Sequence, residues 1–575
     1  KKNINDLSMI KVDGKEIENF SSDILEYDLG DVNYSKTKIN VEAVLKDVDS
    51  SVKGDGEISL KTGDNEIVLT VTAQNGEEKT YKLHVNRIKN DNANLSLLSV
   101  MGYTLTPDFD KDTLYYETTV EEEKSILTKE EVTAVAEDKN ASISKQDNIE
   151  LSTTVDNIYK VTVTAEDDTK KEYTNKYKTM MRDYIIASDN FVVYRPAFAL
   201  YTIIAGYPWF LDWGRDSLIA YEGIVLIPRR FREAKEILLT FTRNIKYGLV
   251  PNGYSEYDGK PLYNSADASL LLFEQVRKYL EYTRDYEFLK NQLYDTLKKI
   301  IESYINGIDL DGNNIHLDES DGLISSGTPQ IQNTWMDAKI GNIVVTPRNG
   351  KAIEINSLWY NALKIMESFA KLYKEKELAK KYSDLAKKCK ESFVKEFYNK
   401  RRKSFDDVVG DSSIRPNQLF AIGLHYPVVD SSSEEAKNAF ETVTKKLLTP
   451  YGLKTLAKGE KCYREIYEGD QIKRDMSYHQ GITWPWLLGI YSDSFLNIIN
   501  AEKNKTKKKE LEKEYSEFVA KIENTFCTEM YNRSTVGSIS ELYDSAKPYE
   551  AKGAFAQAWS VAEIFRIIIK NHEKY

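Results

Sequence analysis

The sequence predicts a multidomain chain in which two all-β sandwich modules are followed by an all-α domain of paired helices arranged in a ring. Three observations carry that prediction. At 575 residues the chain is too long for one hydrophobic core. The first 178 residues hold one proline and no tryptophan and alternate polar with apolar residues, whereas all seven tryptophans lie beyond residue 200. From Arg182 the apolar period changes from two to the helical 3.6. The switch falls near residues 176–182.

In the first half, residues 67–73 (IVLTVTA) and 159–165 (YKVTVTA) are rich in β-branched side chains and bounded by turn-forming Asn, Asp and Gly, as strands are. The half also repeats itself. Leu7-Ser8, Phe20, Tyr27, Val71-Thr72-Ala73 and Tyr81 find counterparts in Leu95-Ser96, Phe109, Tyr116, Val163-Thr164-Ala165 and Tyr173, 88 to 92 residues on. Short strands and frequent turns in a unit of this length suit a β-sandwich, giving modules over 1–89 and 90–178. The pattern resembles the cadherin-like β-sandwich modules of bacterial surface and secreted proteins. Without tryptophan platforms, a spacer or docking role at a cell surface or polymer is expected before a sugar-binding one.

Over 179–575 the helical pattern is regular. Leu358, Ala362, Ile365, Phe369 and Leu372 lie on one stripe with lysines and glutamates opposite, and similar stripes recur in 269–282, 289–305 and 562–569. Strand signals are few. Long polar and aromatic loops between the helices are expected to gather on one functional face.

The bulk numbers exclude several function classes. The net charge of -11 is spread along the chain, so no clustered basic face exists for nucleic acid, and Lys507 to Lys509 sit beside glutamates on a solvated helix face. Three cysteines (Cys389, Cys462, Cys527) and five scattered histidines offer neither a disulfide framework nor a metal motif, and no cofactor is expected. The sequence Asp309-Leu310-Asp311-Gly312-Asn313 hints at a calcium loop. Asn314 and Ser320 stand where its Gly and Glu are required, so it reads as a turn. The longest apolar stretch, 197–211, is too short to span a membrane and is broken by Gly206-Tyr207-Pro208. The chain opens Lys1-Lys2-Asn3-Ile4, without Met or an apolar signal region, as a mature or trimmed form is expected to.

Several loops are dense in the residue types a carbohydrate site needs: aromatic faces for sugar C–H surfaces, and short polar groups for vicinal hydroxyls. In order they include Trp213-Gly214-Arg215-Asp216, Thr334-Trp335-Met336-Asp337-Ala338-Lys339, Val345-Thr346-Pro347-Arg348, Glu354-Ile355-Asn356, residues 448–453 (LTPYGL), Tyr478-His479-Gln480-Gly481 and Gln557-Ala558-Trp559-Ser560. Over roughly residues 183–570 this series resembles the C-terminal glucosidase domain of glycogen debranching enzymes, the amylo-α-1,6-glucosidases of glycoside hydrolase family 133. The resemblance implies an (α/α) six-hairpin barrel and an inverting mechanism without a metal.

Carried over residue by residue, it makes Asp337 the general acid and Glu541 the general base. One carboxyl must keep a proton for the departing glycosidic oxygen, and the other must be ionised to activate a water on the opposite sugar face. Arg215 and Asp216 are similar to the pair that grips the 4- and 6-hydroxyls of a terminal glucose in related glucoamylases. Trp209, Trp213, Trp335 and Tyr478 are candidate walls; Asp267, Lys339, His479 and Gln480 are candidate hydrogen-bonding groups. Asn333 and Gln330, beside the acid, depart from the family pattern on the leaving-group side. The expected activity is release of single glucose units from α-1,6 stubs of glycogen- or starch-type glucans. Cleavage of α-1,4 or α-1,2 links, and a catalytically inactive glucan-binding protein, are the alternatives. The sandwich modules favour an extracellular or cell-surface location over a cytoplasmic one.

Overall fold

The computed structural model describes the chain apart from residues 122–123, 153–156, 256–258, 534–535 and 573–575. It divides into two compact units, Lys1–Met180 and Met181–Tyr575.

The first unit contains two sandwiches with separate cores. In the first, one sheet runs in the order Lys15–Glu16, Leu7–Val12, Lys38–Leu45, Gly56–Ser59. The facing sheet runs Glu26–Val32, Glu78–Arg87, Gly63–Thr72, Ser51–Lys53, its first pair parallel and the rest antiparallel. Alternation does the sorting: Ile67, Leu69 and Val71 point into the core while Glu66 before them and Val68 between them are exposed. In the second sandwich Tyr115–Val120 again lies parallel to Lys170–Thr179, which pairs antiparallel with Asn157–Thr164, and Leu95–Val100 pairs with Val132–Ala136.

The sequence repeat is therefore a repeat of contacts. Phe20 stacks on Tyr27 with ring centroids 5.6 Å apart, and Phe109 on Tyr116 at 6.2 Å. Tyr27 Oη donates to Ser21 O at 2.6 Å, as Tyr116 Oη does to Asp110 O. Leu7 N donates to Tyr81 Oη at 3.3 Å, and Leu95 N to Tyr173 Oη at 3.1 Å. Each of these tyrosines bonds back to a neighbouring loop carbonyl, of Ser22 or Lys111, and lies under a lysine, Lys79 or Lys171.

In the second unit six helical segments pack side by side in a cycle: Gly214–Tyr221, Ala268–Thr283, Ile353–Leu372, Phe420–Gly423, Leu487–Ala501, Ala558–His572, and back to Gly214–Tyr221. The cycle closes tightly, since a Cβ at Gly223 would lie 2.3 Å from Ala562 O. Longer segments lie outside it, among them Phe231–Thr242, Tyr294–Asn306, Lys376–Phe397, Glu434–Leu447 and Lys505–Asn532. The two classes differ in burial. Lys376–Phe397 buries one stripe, Ala379, Tyr382, Ala386, Cys389, Phe393 and Phe397, as an amphipathic helix should. Ile353–Leu372 is instead buried nearly all round, taking in Glu354, Asn356, Ser357 and Asn361, and it is exposed only toward its C-terminus, at Ser368, Lys371 and Leu372, the last at 49%. Its polar positions bind protein rather than water: Glu354 pairs with Arg348, Asn356 with the Ile324 backbone, Ser357 with the Ile353 carbonyl, and Asn361 with Glu274 of Ala268–Thr283.

Asn361 touches a buried charged network through Glu274 at 2.9 Å. Lys278 Nζ lies 2.6 Å from Glu222, Arg566 pairs with Asp493 at 2.9 Å and with Glu563 at 2.5 Å, and Arg277 pairs with Glu274 at 2.6 Å. Gly489 makes room for this cluster, because a Cβ there would overlap the Glu563 carboxylate. No described helix is long and apolar enough to cross a membrane.

Candidate active site

A cavity of about 130 Å³ in the helical unit is lined by Phe210, Trp213, Arg215, Asp216, Trp335, Asp337, Tyr478, His479, Trp484, Glu541 and Trp559. The local sequence explains how these residues converge. Trp213 caps the helix Gly214–Tyr221, and Gly214 allows a close approach, since a Cβ would lie 2.1 Å from Pro251 O. Arg215 and Asp216 occupy the first turn of that helix. Tyr478 and His479 end the helix Gln471–Tyr478. A five-stranded antiparallel sheet, ordered Leu448–Thr449, Gly452–Lys454, Thr483–Trp484, Leu542–Tyr543, Ala551–Lys552, brings Trp484 beside the segment that carries Glu541.

Glu541 is buried and held at both oxygens. Tyr478 Oη donates to Oε1, and the Ala554 N–H donates to Oε2 at 2.9 Å. Gly553 is required by this contact: its φ is +71°, and a Cβ would lie 2.2 Å from Oε2. Burial raises the Glu541 carboxyl to about 7, against the opposing pull of the two hydrogen bonds.

Asp337 sits between two influences. Burial, the larger, raises its pKa, while Arg215, donating from Nη1 to Oδ2 at 3.1 Å, lowers it. Arg215 is not free to act at full strength. Its Nε and Nη2 bind both oxygens of Asp267 at 2.6 and 3.0 Å, so its charge is already largely matched, and Asp267 itself pushes Asp337 upward. The net direction is up, which favours the proton-bearing form that an acid needs. Asp216, reached by Gln557 Nε2 at 3.3 Å, is raised to about 8 by burial first and then by Asp337 and Glu541, against Arg215.

The walls are aromatic. Trp335 anchors them: its Nε1 donates to Asn417 at 2.7 Å, and its ring meets His479, Trp484 and Trp486 at 5.0 to 5.6 Å. His479 is neutral, because burial and the nearby Arg415 and Arg215 hold its pKa well below the ordinary imidazole value.

Of the twelve residues singled out from sequence, Arg215, Asp216, Trp213, Trp335, Asp337, Tyr478, His479 and Glu541 line this one cavity. Four do not. Asp267 lies behind Arg215, bound also by Ser265 at 2.5 Å. Gln480 is spent on Arg415 and the Val345 carbonyl, and Lys339 turns away to the Gln330 carbonyl at 3.1 Å. Trp209 is 55% exposed, beside Phe210 rather than in the cavity wall. Asn333, which departs from the family pattern, is buried and donates to Asn313 O at 3.1 Å, a structural role. Gln557 and Trp559 lie in one of the stretches that carry the resemblance, yet neither they nor Phe210 and Trp484 were singled out as site residues. Trp484 follows His479-Gln480-Gly481 by three residues, and the aromatic density of that segment was the available signal. Among the described residues no cluster of three His, Cys, Asp or Glu side chains is set to hold a metal ion.

Comparison with known proteins bears on this cavity directly. Residues 186–566 match the family model described as amylo-alpha-1,6-glucosidase, and residues 7–88 match that of the cadherin-like beta sandwich domain. The glycogen debranching enzyme of Saccharomyces cerevisiae is 27% identical over 49% of this chain, an alignment covering 24% of that enzyme. The chain thus matches about a quarter of the length of this curated relative. A solved sialidase aligns with 68% of this chain and 33% of its own at 14% identity and a TM-score of 0.47, a likeness too weak to define the fold.

Proposed function

The chain belongs to the amylo-alpha-1,6-glucosidase family and is a glycoside hydrolase, and on that footing we propose that it is an inverting, exo-acting glucosidase that removes single glucose units from α-1,6 branch stubs of glycogen- or starch-type glucans. The observation that carries this reading is the pairing of Asp337 and Glu541 in one small aromatic cavity, where burial lifts both carboxyls. The fold we propose is an (α/α) six-hairpin barrel, supported by the closed cycle of six segments and the longer helices outside it.

In this mechanism a terminal glucose enters between Trp213, Trp335, Trp484 and Tyr478, which take its C–H faces. Three of the five Arg215 N–H groups are committed to Asp267 and Asp337, and the two that remain serve the sugar hydroxyls together with Asp216. Asp337 gives its proton to the glycosidic oxygen as the C–O bond breaks. Glu541, aligned by Tyr478 and Ala554, takes a proton from the water that attacks the anomeric carbon from the other face. The products are β-glucose and a glucan shortened by its stub. The cavity's small volume, about 130 Å³, supports exo action, since a site on the scale of a single sugar suits a chain end.

We assign the two sandwich modules a spacer or docking role at a cell surface or polymer, with the enzyme outside the cell. Proton NMR on a maltooligosaccharide bearing one α-1,6 glucose stub tests the activity. β-Glucose is expected first, before mutarotation; α-glucose first would overturn the inverting mechanism, and release only from α-1,4 or α-1,2 links would reassign the linkage.

A further inference from the structure

The cavity is too small for the rest of a branched substrate, so the glucan that carries the stub must leave through the mouth. Adjoining the lining through the bond from Gln557 to Asp216 is a short ribbon in which Gly206–Tyr207 pairs antiparallel with Ala556–Gln557, Tyr207 opposite Ala556. At that end of the ribbon one strand runs out into Pro208 and Trp209, in a turn closed by Phe210 N–H to Gly206 O at 3.0 Å, and the other runs in from Phe555. Both rings are open to solvent, Trp209 at 55% and Phe555 at 44%, while Trp335, Trp359, Trp484, Trp486 and Trp559 are all buried. Exposing two large aromatic rings on one ribbon end forgoes their burial, which an occupant would restore. Each ring is tied by sequence to the reacting centre. Phe210, next to Trp209, lines the cavity, and Ala554, next to Phe555, donates to Glu541.

From this placement we infer that Trp209 and Phe555 form the platform for the α-1,4-linked main chain that bears the stub. Glucose rings in such a chain present flat C–H faces, which stack on exposed aromatic rings. The inference rests on the reading of the cavity as the seat of a terminal glucose. It makes the two residues determinants of specificity for a stub on a long chain over the same linkage in a disaccharide.

The test compares kcat/KM for a stub-bearing maltooligosaccharide with that for isomaltose. Trp209→Ala is expected to lower this ratio by about tenfold and Phe555→Ala by about threefold, with Trp209→Phe keeping it within about twofold. Calorimetry in a Glu541→Gln background reads binding alone, and Trp209→Ala is expected to reduce the preference for maltoheptaose over glucose by about tenfold. An unchanged ratio together with an unchanged maltoheptaose preference overturns the platform. So does an intact sugar preference in a Trp209→Ala protein that has changed from dimer to monomer, which would make this surface an interface between copies. If neither α-1,6 substrate is cleaved the proposed activity fails, and the maltoheptaose preference still decides the platform. Should Trp209→Ala fail to fold, Trp209→Phe and Phe555→Ala carry the same comparison.

Discussion

Two sets of carboxyl groups lie within the helical unit, and their pKa values move in opposite directions. In the network of Lys278, Arg566 and Arg277, Asp493 is held at about 2, Glu222 far below the ordinary glutamate range and Glu274 below it, because each faces cations that outweigh the cost of desolvation. In the cavity Asp216 rises to about 8, Glu541 to about 7, and Asp337 upward even with its side chain 33% exposed, because desolvation is the largest influence on each and Arg215 is the sole cationic side chain in the described lining. Arg348 shows the intermediate case. It is shared between Glu354, at 2.5 Å, and Asp407, at 2.7 Å, and Glu354 ends raised. Burial sets the upward push, and the count of uncommitted cations decides whether it wins. A functional carboxyl in this fold is therefore marked by a shortage of positive charge, not by depth.

The sharpest way to break this contrast is to neutralise the two acids. Asp337→Asn and Glu541→Gln are each expected to lower kcat by about 10³- to 10⁴-fold while the protein stays folded, and retention of more than a tenth of turnover by either would remove it from the chemistry. Next in size is Arg566→Met, which takes the guanidinium from Glu563 and leaves Asp493 to Lys570 at 3.1 Å. A loss of about 3–5 kcal/mol is expected from the denaturant midpoint at neutral pH, and no loss would mean that the cluster is not held by its cations.

Tyr478→Phe should be milder. It removes a hydrogen bond that holds the Glu541 pKa down, so the acid limb of the kcat/KM profile, set by a base near 7, should move to higher pH, by on the order of one unit. A limb that stays in place would detach Tyr478 from the base. The smallest effects are linkage effects of opposite sign. Asp493 is depressed from 3.8 to about 2 in the fold, so its contribution is complete above 3.8 and lost as pH falls toward 2. Glu541 is raised from 4.5 to about 7, so its contribution is complete below 4.5 and lost as pH rises through 7. Thermal melts should show Asp493→Asn flattening the acid side of the stability curve and Glu541→Gln the neutral side.

The sandwiches were the most legible part of the sequence, because strand alternation and an 88- to 92-residue repeat are local signals, and Phe20, Tyr27 and Tyr81 reappear in register as Phe109, Tyr116 and Tyr173. The helices were legible as helices. Which of them are central was not, since Ile353–Leu372 carries the same apolar stripe as an outer helix and differs only in what its polar residues bind. At the site, sequence identified the right loops but not the direction of each side chain. Lys339 lies two residues from Asp337 and Gln480 two from Tyr478, yet both turn to backbone carbonyls outside the cavity lining, and it is the sheet and the last helix that carry Trp484 and Trp559 to the wall.

The ribbon that joins Gly206–Tyr207 to Ala556–Gln557 also has a temporal meaning. Gln557 reaches Asp216 across 341 residues, and Trp559 completes a wall begun at Phe210 and Trp213. On the ribosome Trp213, Arg215 and Asp216 are therefore made first and wait, through the synthesis of four further segments of the cycle, for the piece that closes their pocket. Loop closure of this span comes late in folding and is the step most exposed to failure. Sugar binding is then a readout of completion: a nascent or proteolysed chain that lacks the segment from Ala556 onward would keep Arg215, Asp337 and Glu541 and still have no enclosed site.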